Sequence, residues 1–210
     1  MKKRPVFPIA CALIAVVVGA VIYSVLREQA SQRRAVTDET RTELKYVGLI
    51  VNASPSEKDF KTNLEFARRL RSEAIFPIDD IKCAMTTAAT VAAVEPSDED
   101  RELLIRLASN RDIRGKDIGE FALNIWKVRN TFRDKAETFS GTAKQFVVAG
   151  KGSRGILTPL SISRLAVETA ESAKDNGRSP AEMLATIVVL AKTGRLEGFG
   201  PGQSDPQGDK

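Results

Sequence analysis

The chain begins with one long apolar run. Residues 5–26 form 22 consecutive positions without a charged side chain, and they lie between the basic residues 2–4 and Arg27. At about 1.5 Å per residue, a helix of this length reaches about 33 Å, which is enough to cross the hydrocarbon core of a bilayer. The pattern therefore predicts a transmembrane helix at residues 5–26, preceded by a basic tip at residues 1–4.

This apolar run has two interpretations. A cleaved signal peptide has an apolar region of about 7 to 15 residues that ends in small residues, and Val18-Gly19-Ala20 would serve as such an end. The run continues to Leu26, which favours an uncleaved signal anchor of a single-pass membrane protein. The short basic tip favours an extracytoplasmic domain, periplasmic in a bacterium, although the arginines that follow the helix compete for the cytoplasmic side.

In the domain that follows the anchor and its stalk, apolar residues recur with the period of a helix. Residues 27–42 are polar and are interpreted as a juxtamembrane stalk. Residues 43–194 are expected to form an all-α domain, a compact bundle of about six helices. We predict helices at about 57–74, 83–94, 97–110, 117–139, 159–174 and 180–192. Residues 44–51 fit either a strand or a helix, and a helix is favoured because few other strand candidates exist to pair with them. Residues 195–210 lose the periodicity and are rich in Gly and Pro, which predicts a disordered tail.

Local signals refine three of these helices. Ser97 precedes acidic residues that suit a first helical turn, and Thr158-Pro159 and Ser179-Pro180 each place a capping residue before a proline at the first helical position. Residues 183–191 are apolar around the whole circumference but too few to span a bilayer. We therefore expect them to form a second central helix of the bundle.

The charge and the residue types narrow the possible chemistry. The 210-residue chain has a formal net charge of +5, of which residues 2–4 supply three, so the rest is nearly neutral and nucleic-acid binding is not predicted. The chain contains no histidine. This excludes the usual acid/base group at physiological pH, the commonest zinc ligand and histidine-dependent nucleophilic triads. No metal and no cofactor is predicted.

Residues 150–155 match the spacing G-x-G-x-x-G. Gly150, Gly152 and Gly155 supply the glycines, and Lys151 and Arg154 add positive charge. Such a turn aims backbone N–H groups at a phosphate, but no helix is predicted to begin at the third glycine and no ribose-binding acid follows at the required distance. A flexible basic linker is favoured, and an anion or phospholipid-headgroup site is the alternative.

Arg129 lies inside the apolar stripe of the predicted helix 117–139, four residues after Ile125 and three before Phe132. A charge there requires a partner, so we expect either a buried ion pair with a carboxylate or a side chain that reaches solvent at the edge of the stripe. Trp126 flanks the same stripe and is expected in the core or on an interaction surface.

Candidate catalytic groups are few. Glu73 with Asp79 or Asp80 is the only carboxylate pair that we nominate for glycan hydrolysis, which requires two carboxylates across a cleft. The acidic residues at 98–102 are explained by the electrostatics of a helix start. Cys83 is expected to be a buried, inert thiol because the chain lacks a histidine to form the thiolate.

Taken together, these patterns predict a membrane-anchored helical interaction module, an accessory, assembly or docking factor at the cell envelope. Its expected partners are the membrane and an unidentified protein, since grooves between amphipathic helices receive partner helices. Enzymatic activity is not favoured because no catalytic constellation is recognisable. The alternatives are an exported envelope enzyme that hydrolyses glycans with carboxylates, and a module that binds anionic headgroups or phosphate through residues 150–155.

Overall fold

A computed structural model describes residues 38–135 and 137–195, together with Ser24, Arg27, Glu28, Ser31 and Gln32. The predicted anchor lies outside these residues except for Ser24, and the predicted tail lies outside them except for Arg195. No helix within the described part has both the length and the apolar character needed to cross a membrane. The described residues include helices and no strands, which confirms the all-α class of the domain.

The chain divides into two units, Met1–Lys45 and Tyr46–Lys210. In the first unit, the described residues are helical, and Thr42 Oγ1 donates a hydrogen bond to the carbonyl oxygen of Asp38 at 2.8 Å. A helix at residues 38–52, α1, enters the second unit at Tyr46.

The second unit contains seven further α-helices among its described residues. They are α2 (Glu57–Ser72), α3 (Ile81–Ala92), α4 (Asp98–Ser109), α5 (Ile118–Phe132), α6 (Phe139–Gly152), α7 (Pro159–Asp175) and α8 (Pro180–Lys192). Short 3-10 turns at Gly115–Asp117 and Arg133–Lys135 flank α5. The number exceeds the predicted six because α6 occupies residues for which no helix is predicted beyond Phe139.

Side-chain caps begin these helices where the sequence predicts them. Ser97 forms a capping box with Asp100, and Ser179 forms one with Glu182. Thr158 accepts a hydrogen bond from the N–H of Ser161 at 3.1 Å at the start of α7. Each cap satisfies an N–H group that has no partner within the first helical turn.

α5 lies at the centre of the hydrophobic core and packs against α3, α6 and α7. Phe121 and Ile125 are completely buried, and the ring of Phe121 meets that of Phe146 edge to face with centroids 5.9 Å apart. A Cβ added at Gly119 would lie 3.4 Å from the Cβ of Thr90 on α3. The lack of a side chain at Gly119 therefore lets α5 approach α3 closely.

The predicted helix 117–139 was wrong in its extent. α5 ends at Phe132 because Arg133 has a φ of 40°, which a right-handed helix does not permit. The next α-helix begins after Thr138, whose side chain provides its cap. The apolar spacing continues through this break, since Phe139 is buried as the first residue of α6, and the spacing alone therefore does not reveal the break.

The linker interpretation of residues 150–155 was wrong for its first half, because α6 continues to Gly152. The second half is a compact turn around Ser153, which is completely buried. Its Oγ lies 2.6 Å from the carbonyl oxygen of Gly150 and 3.1 Å from that of Leu157, and it accepts a hydrogen bond from the N–H of Leu157 at 3.0 Å. A single hydroxyl thus holds the turn between α6 and α7.

The helix at residues 180–192 exists as predicted, but it is not central. Met183 and Ile187 are buried, whereas Val189 is 57% exposed and Ala185 is also exposed. Because α8 is the last helix of the described residues and packs mainly on α6 and α7, one side of it has no helix to cover it. This open side is the starting point for the functional site.

Candidate protein-docking groove

An apolar groove of about 640 Å³ lies between α6 and α8. From α6 it is lined by residues at helical spacing that include Gly141, Val148 and Gly152, and from α8 by residues that include Ala181 and Val189. Val148 is 68% exposed and Val189 is 57% exposed, so two large apolar side chains of neighbouring helices face water in one place. Apolar residues clustered in this way mark interaction surfaces more often than isolated exposed ones do.

The two helices that form the groove begin at the same end of it. Hydrogen bonds from Ser179 hold the pKa of the Glu182 carboxyl at the start of α8 below its ordinary value, and the charges of Arg178 and Lys135 lower it further. α6 and α7 pack on each other through a short connection, and so do α7 and α8, so each pair is antiparallel. α6 and α8 therefore run in the same direction along the groove.

Small side chains leave the groove open for its whole length. Gly141, Ala149 and Gly152 alternate with larger residues on α6, and Ala181 and Ala185 do so on α8. At 1.5 Å per residue, the lining residues of α6 extend over about 16 Å, or about three helical turns. The groove has the dimensions of one short helix.

Two charged residues line this groove. Glu137 Oε1 accepts a hydrogen bond from Gln145 Nε2 at 2.6 Å, so its carboxylate already has a partner. Lys144 lies on the groove wall, is exposed, and forms no salt bridge with any residue that the structure describes. The groove thus carries one carboxylate, whose hydrogen-bond partner is a neutral amide, and one lysine that forms no salt bridge among the described residues.

The residues of the predicted anion site at 150–155 have different roles in the structure. Lys151 Nζ lies 3.1 Å from Asp112 Oδ1, so its charge is already paired. Gly150 is buried, and a Cβ there would lie 3.0 Å from the backbone nitrogen of Pro159, which gives this glycine a packing role. Gly152 lines the groove, and Arg154 and Gly155 are exposed with φ of 57° and 83°. The charge of Lys151 is therefore directed at Asp112 and not at a site shared with Arg154.

Arg129 has a partner of a kind that was not expected. Its Nε donates a hydrogen bond to the carbonyl oxygen of Glu137 at 3.0 Å, and the side chain is half-buried. Of the two alternatives, the ion pair with a carboxylate is replaced by a hydrogen bond to a backbone oxygen, which becomes accessible where α5 and α6 separate. Trp126 is 41% exposed, so it belongs to the surface of α5 rather than to the core.

The nominated carboxylates occupy structural positions. Arg69 binds both Glu73 and Glu102, and its hydrogen bond holds the pKa of the Glu73 carboxyl below the ordinary value. A general acid for glycan hydrolysis requires the opposite shift. Asp80 caps α3 by accepting from the N–H of Lys82 at 2.8 Å.

The remaining candidates add no catalytic cluster. Cys83 is half-buried rather than buried. No group of three or more acidic or cysteine side chains in the described part of the chain is placed to hold a metal ion.

Sequence reasoning did not find the α6–α8 groove. The available signal was the high apolar content of residues 183–191, together with Val148 in a run that was not recognised as a helix. Comparison with known protein families, with curated proteins and with solved structures gives no match for this chain. The groove is therefore interpreted from its own geometry.

Proposed function

We propose that this chain is a membrane-anchored interaction module that binds an amphipathic helix of another protein in the α6–α8 groove, as an accessory, assembly or docking factor at the cell envelope. The observation that carries the proposal is the exposure of Val148 and Val189 in one apolar groove between parallel helices. The anchor in this proposal rests on the uncharged run at residues 5–26.

The shape and charge of the groove specify the partner. A helix of about three turns with apolar residues at positions i, i+3, i+4 and i+7 would fill the groove, in the way that amphipathic helices occupy hydrophobic grooves elsewhere. Its most favourable charge is a carboxylate opposite Lys144. A second copy of the same groove is a poorer occupant, because two concave surfaces cannot fill each other. A stable dimer also buries about 800 Å² per partner, which is a larger contact than two apposed grooves of this length would make.

Two labelled model peptides of identical composition test this proposal. One places leucines at the stated spacing with one glutamate, and the other has the same residues in scrambled order. The full chain, held in phosphatidylcholine nanodiscs, is expected to bind the first peptide about tenfold more tightly by fluorescence anisotropy. Equal affinity for both peptides would contradict the proposal.

Variants connect this binding to the groove. Val148→Glu and Val189→Glu introduce a charge that repels the glutamate of the peptide and are expected to weaken binding about tenfold. Val51→Glu is the matched control, since Val51 is 52% exposed and is not among the residues that line the groove. In addition, Lys144→Glu should weaken binding, and a peptide with lysine in place of glutamate should restore it. If the lysine peptide bound Lys144→Glu no better than the glutamate peptide did, Lys144 would not contact the charge of the partner helix.

A further inference from the structure

Contacts connect three loops of the second unit, two of them directly and the third through the last turn of α6. These loops are the α2–α3 loop at residues 73–80, the α4–α5 loop at residues 110–117 and the α6–α7 loop at residues 153–158. We refer to their exposed residues Ile75, Phe76, Arg111, Arg114, Arg154 and Ile156 as the loop face.

Direct contacts hold the first two loops together. The N–H of Ile75 donates to the carbonyl oxygen of Ala108 at 3.3 Å, and Ser109 Oγ donates to the carbonyl oxygen of Glu73 at 3.0 Å. A Cβ added at Gly115 would lie 3.1 Å from the carbonyl oxygen of Phe76. The α2–α3 loop therefore packs on the end of α4 and on the turn that follows it.

The third loop joins through the Lys151–Asp112 pair, whose atoms are 3.1 Å apart. This pair fixes the end of α6 against the α4–α5 loop. Arg154 and Ile156 follow within five residues, and the buried hydroxyl of Ser153 holds their turn in shape. The loop face is thus a connected, ordered surface.

This surface combines apolar and cationic side chains. Phe76 is 54% exposed, and Ile75 and Ile156 are each 41% exposed. Arg111, Arg114 and Arg154 are exposed and form no salt bridge with any residue in the described ranges. The carboxylates of these loops are Asp112, which pairs with Lys151, and Glu73, which binds Arg69. Asp80 caps α3, and Asp79 and Asp117 form no salt bridge with a described residue. The three arginines, with Lys116, still outnumber the carboxylates that lack a cationic partner.

Two of these arginines have a left-handed backbone conformation, as Glu95 and Arg133 also do elsewhere in the described residues. Arg111 has a φ of 63° and Arg154 a φ of 57°. Glycine adopts this left-handed conformation at lower energetic cost than arginine does. The chain nevertheless places a long cationic side chain at both positions, beside the exposed apolar residues.

We infer that the loop face binds an anionic membrane surface, with Phe76, Ile75 and Ile156 entering the interface and Arg111, Arg114 and Arg154 contacting phosphate headgroups. Aromatic and aliphatic side chains enter the boundary between headgroups and acyl chains, while arginines remain at the charged surface. Charge complementarity selects an anionic lipid surface rather than a neutral one, because each unpaired cation adds to the attraction. This surface replaces the predicted headgroup site at residues 150–155, in which Lys151 is already paired.

Fluorescence quenching by brominated lipids tests this inference in the full chain. The chain has one tryptophan, so Trp126→Phe combined with Phe76→Trp leaves a single reporter on the loop face. We expect strong quenching in vesicles of equal parts phosphatidylcholine and brominated phosphatidylglycerol, and at least twofold less quenching in vesicles of brominated phosphatidylcholine alone. A reporter at position 76 that is unquenched in both vesicles, or quenched equally in both, would overturn the inference.

Two controls distinguish surface binding from the effect of an anchor or of altered folding. Val189→Trp in the same Trp126→Phe background places the reporter in the groove, where no quenching is expected. Arg111→Glu with Arg114→Glu should abolish the difference between the two vesicle types, whereas Lys58→Glu with Lys127→Glu, at exposed positions away from the loop face, should preserve it. In the chain with unaltered arginines, high salt should also reduce the quenching, because it screens exposed charges. Quenching that resists both salt and the arginine substitutions would contradict an electrostatic surface contact.

Discussion

α5 is the more buried of the two helices α5 and α8, although α8 is the more apolar in composition. α8 has the larger share of apolar residues, yet Val189 and Ala185 on it are exposed. α5 contains charged and polar residues, yet its Phe121 and Ile125 are completely buried. The difference follows from their neighbours, since α5 packs against α3, α6 and α7 whereas α8 packs mainly on α6 and α7. The number of covering helices, rather than apolar content, decides which helix is central.

The largest expected effect is at the centre of α5. Phe121→Ala removes a completely buried ring and its edge contact with Phe146, and a substitution of this kind destabilises by about 3–5 kcal/mol. Urea unfolding followed by circular dichroism measures the loss. A change below about 1 kcal/mol would mean that α5 is less enclosed than described.

A smaller effect is expected at the buried polar contact between α5 and α7. Asn124 Nδ2 donates to Ser163 Oγ at 3.1 Å, and both residues are buried. Asn124→Ala leaves the Ser163 hydroxyl without this donor, which is expected to destabilise by about 1–3 kcal/mol. A double-mutant cycle with Ser163→Ala measures the coupling. Strictly additive single effects would show that the two side chains do not interact.

The start of α8 provides a third test. Ser179→Ala removes the hydroxyl that accepts from the N–H of Glu182 at 3.3 Å and should destabilise by about 1 kcal/mol. Ser179→Asp retains a capping oxygen and is expected to recover most of this loss in the same urea titration. If alanine and aspartate behaved alike, the cap would contribute nothing to α8.

A smaller effect on stability is expected from the exposed ion pair between α5 and α7, and this effect depends on pH. The hydrogen bond from Arg164 holds the pKa of the Glu120 carboxyl below its ordinary value of 4.5, with Arg164 Nη2 at 2.7 Å from Glu120 Oε2. A depressed folded-state pKa stabilises the protein above the ordinary value, and this stabilisation is lost as the pH falls through the folded-state pKa. Glu120→Gln should therefore narrow the difference in the free energy of unfolding between pH 7 and pH 3, as measured by urea titration, by less than about 1 kcal/mol because the pair is exposed. An unchanged difference would argue against the pair.

The smallest stability effect is expected in the groove. Val189→Ala removes a side chain that is 57% exposed and should change the free energy of unfolding by less than about 0.5 kcal/mol. The same urea experiment measures it beside Phe121→Ala. A loss of 2 kcal/mol or more, on the order expected for a core residue, would show that α8 is enclosed after all.

The sequence predicts those elements whose signals are local. Ser97, Thr158 and Ser179 are recognisable as caps because each acts on residues within one turn of itself. The break after Phe132 has no such signal, since no proline or glycine stands there and the apolar spacing continues to Phe139. The partner of Arg129 was missed for the same reason, because its acceptor becomes accessible only where the helix ends.

The groove and the loop face depend on contacts between distant residues. Val148 and Val189 are 41 positions apart in the sequence, and their common exposure depends on the absence of a covering helix beside α8 in the described bundle. The loop face likewise combines loops from three parts of the chain. Hydrophobic periodicity identifies which residues are apolar on a helix, but not which apolar side remains uncovered.

The buried hydroxyl of Ser153 limits how this chain can change during evolution. Alanine would leave the backbone groups of Leu157 without their partner, and threonine would add a methyl group where the side chain has no exposed surface. Neighbouring Arg154 and Ile156 are exposed, so packing does not restrict them and only the proposed surface contact would. Diverged descendants of this protein are therefore expected to retain serine at this position. Saturation mutagenesis scored by the yield of folded protein should tolerate many residues at positions 154 and 156 and few at position 153.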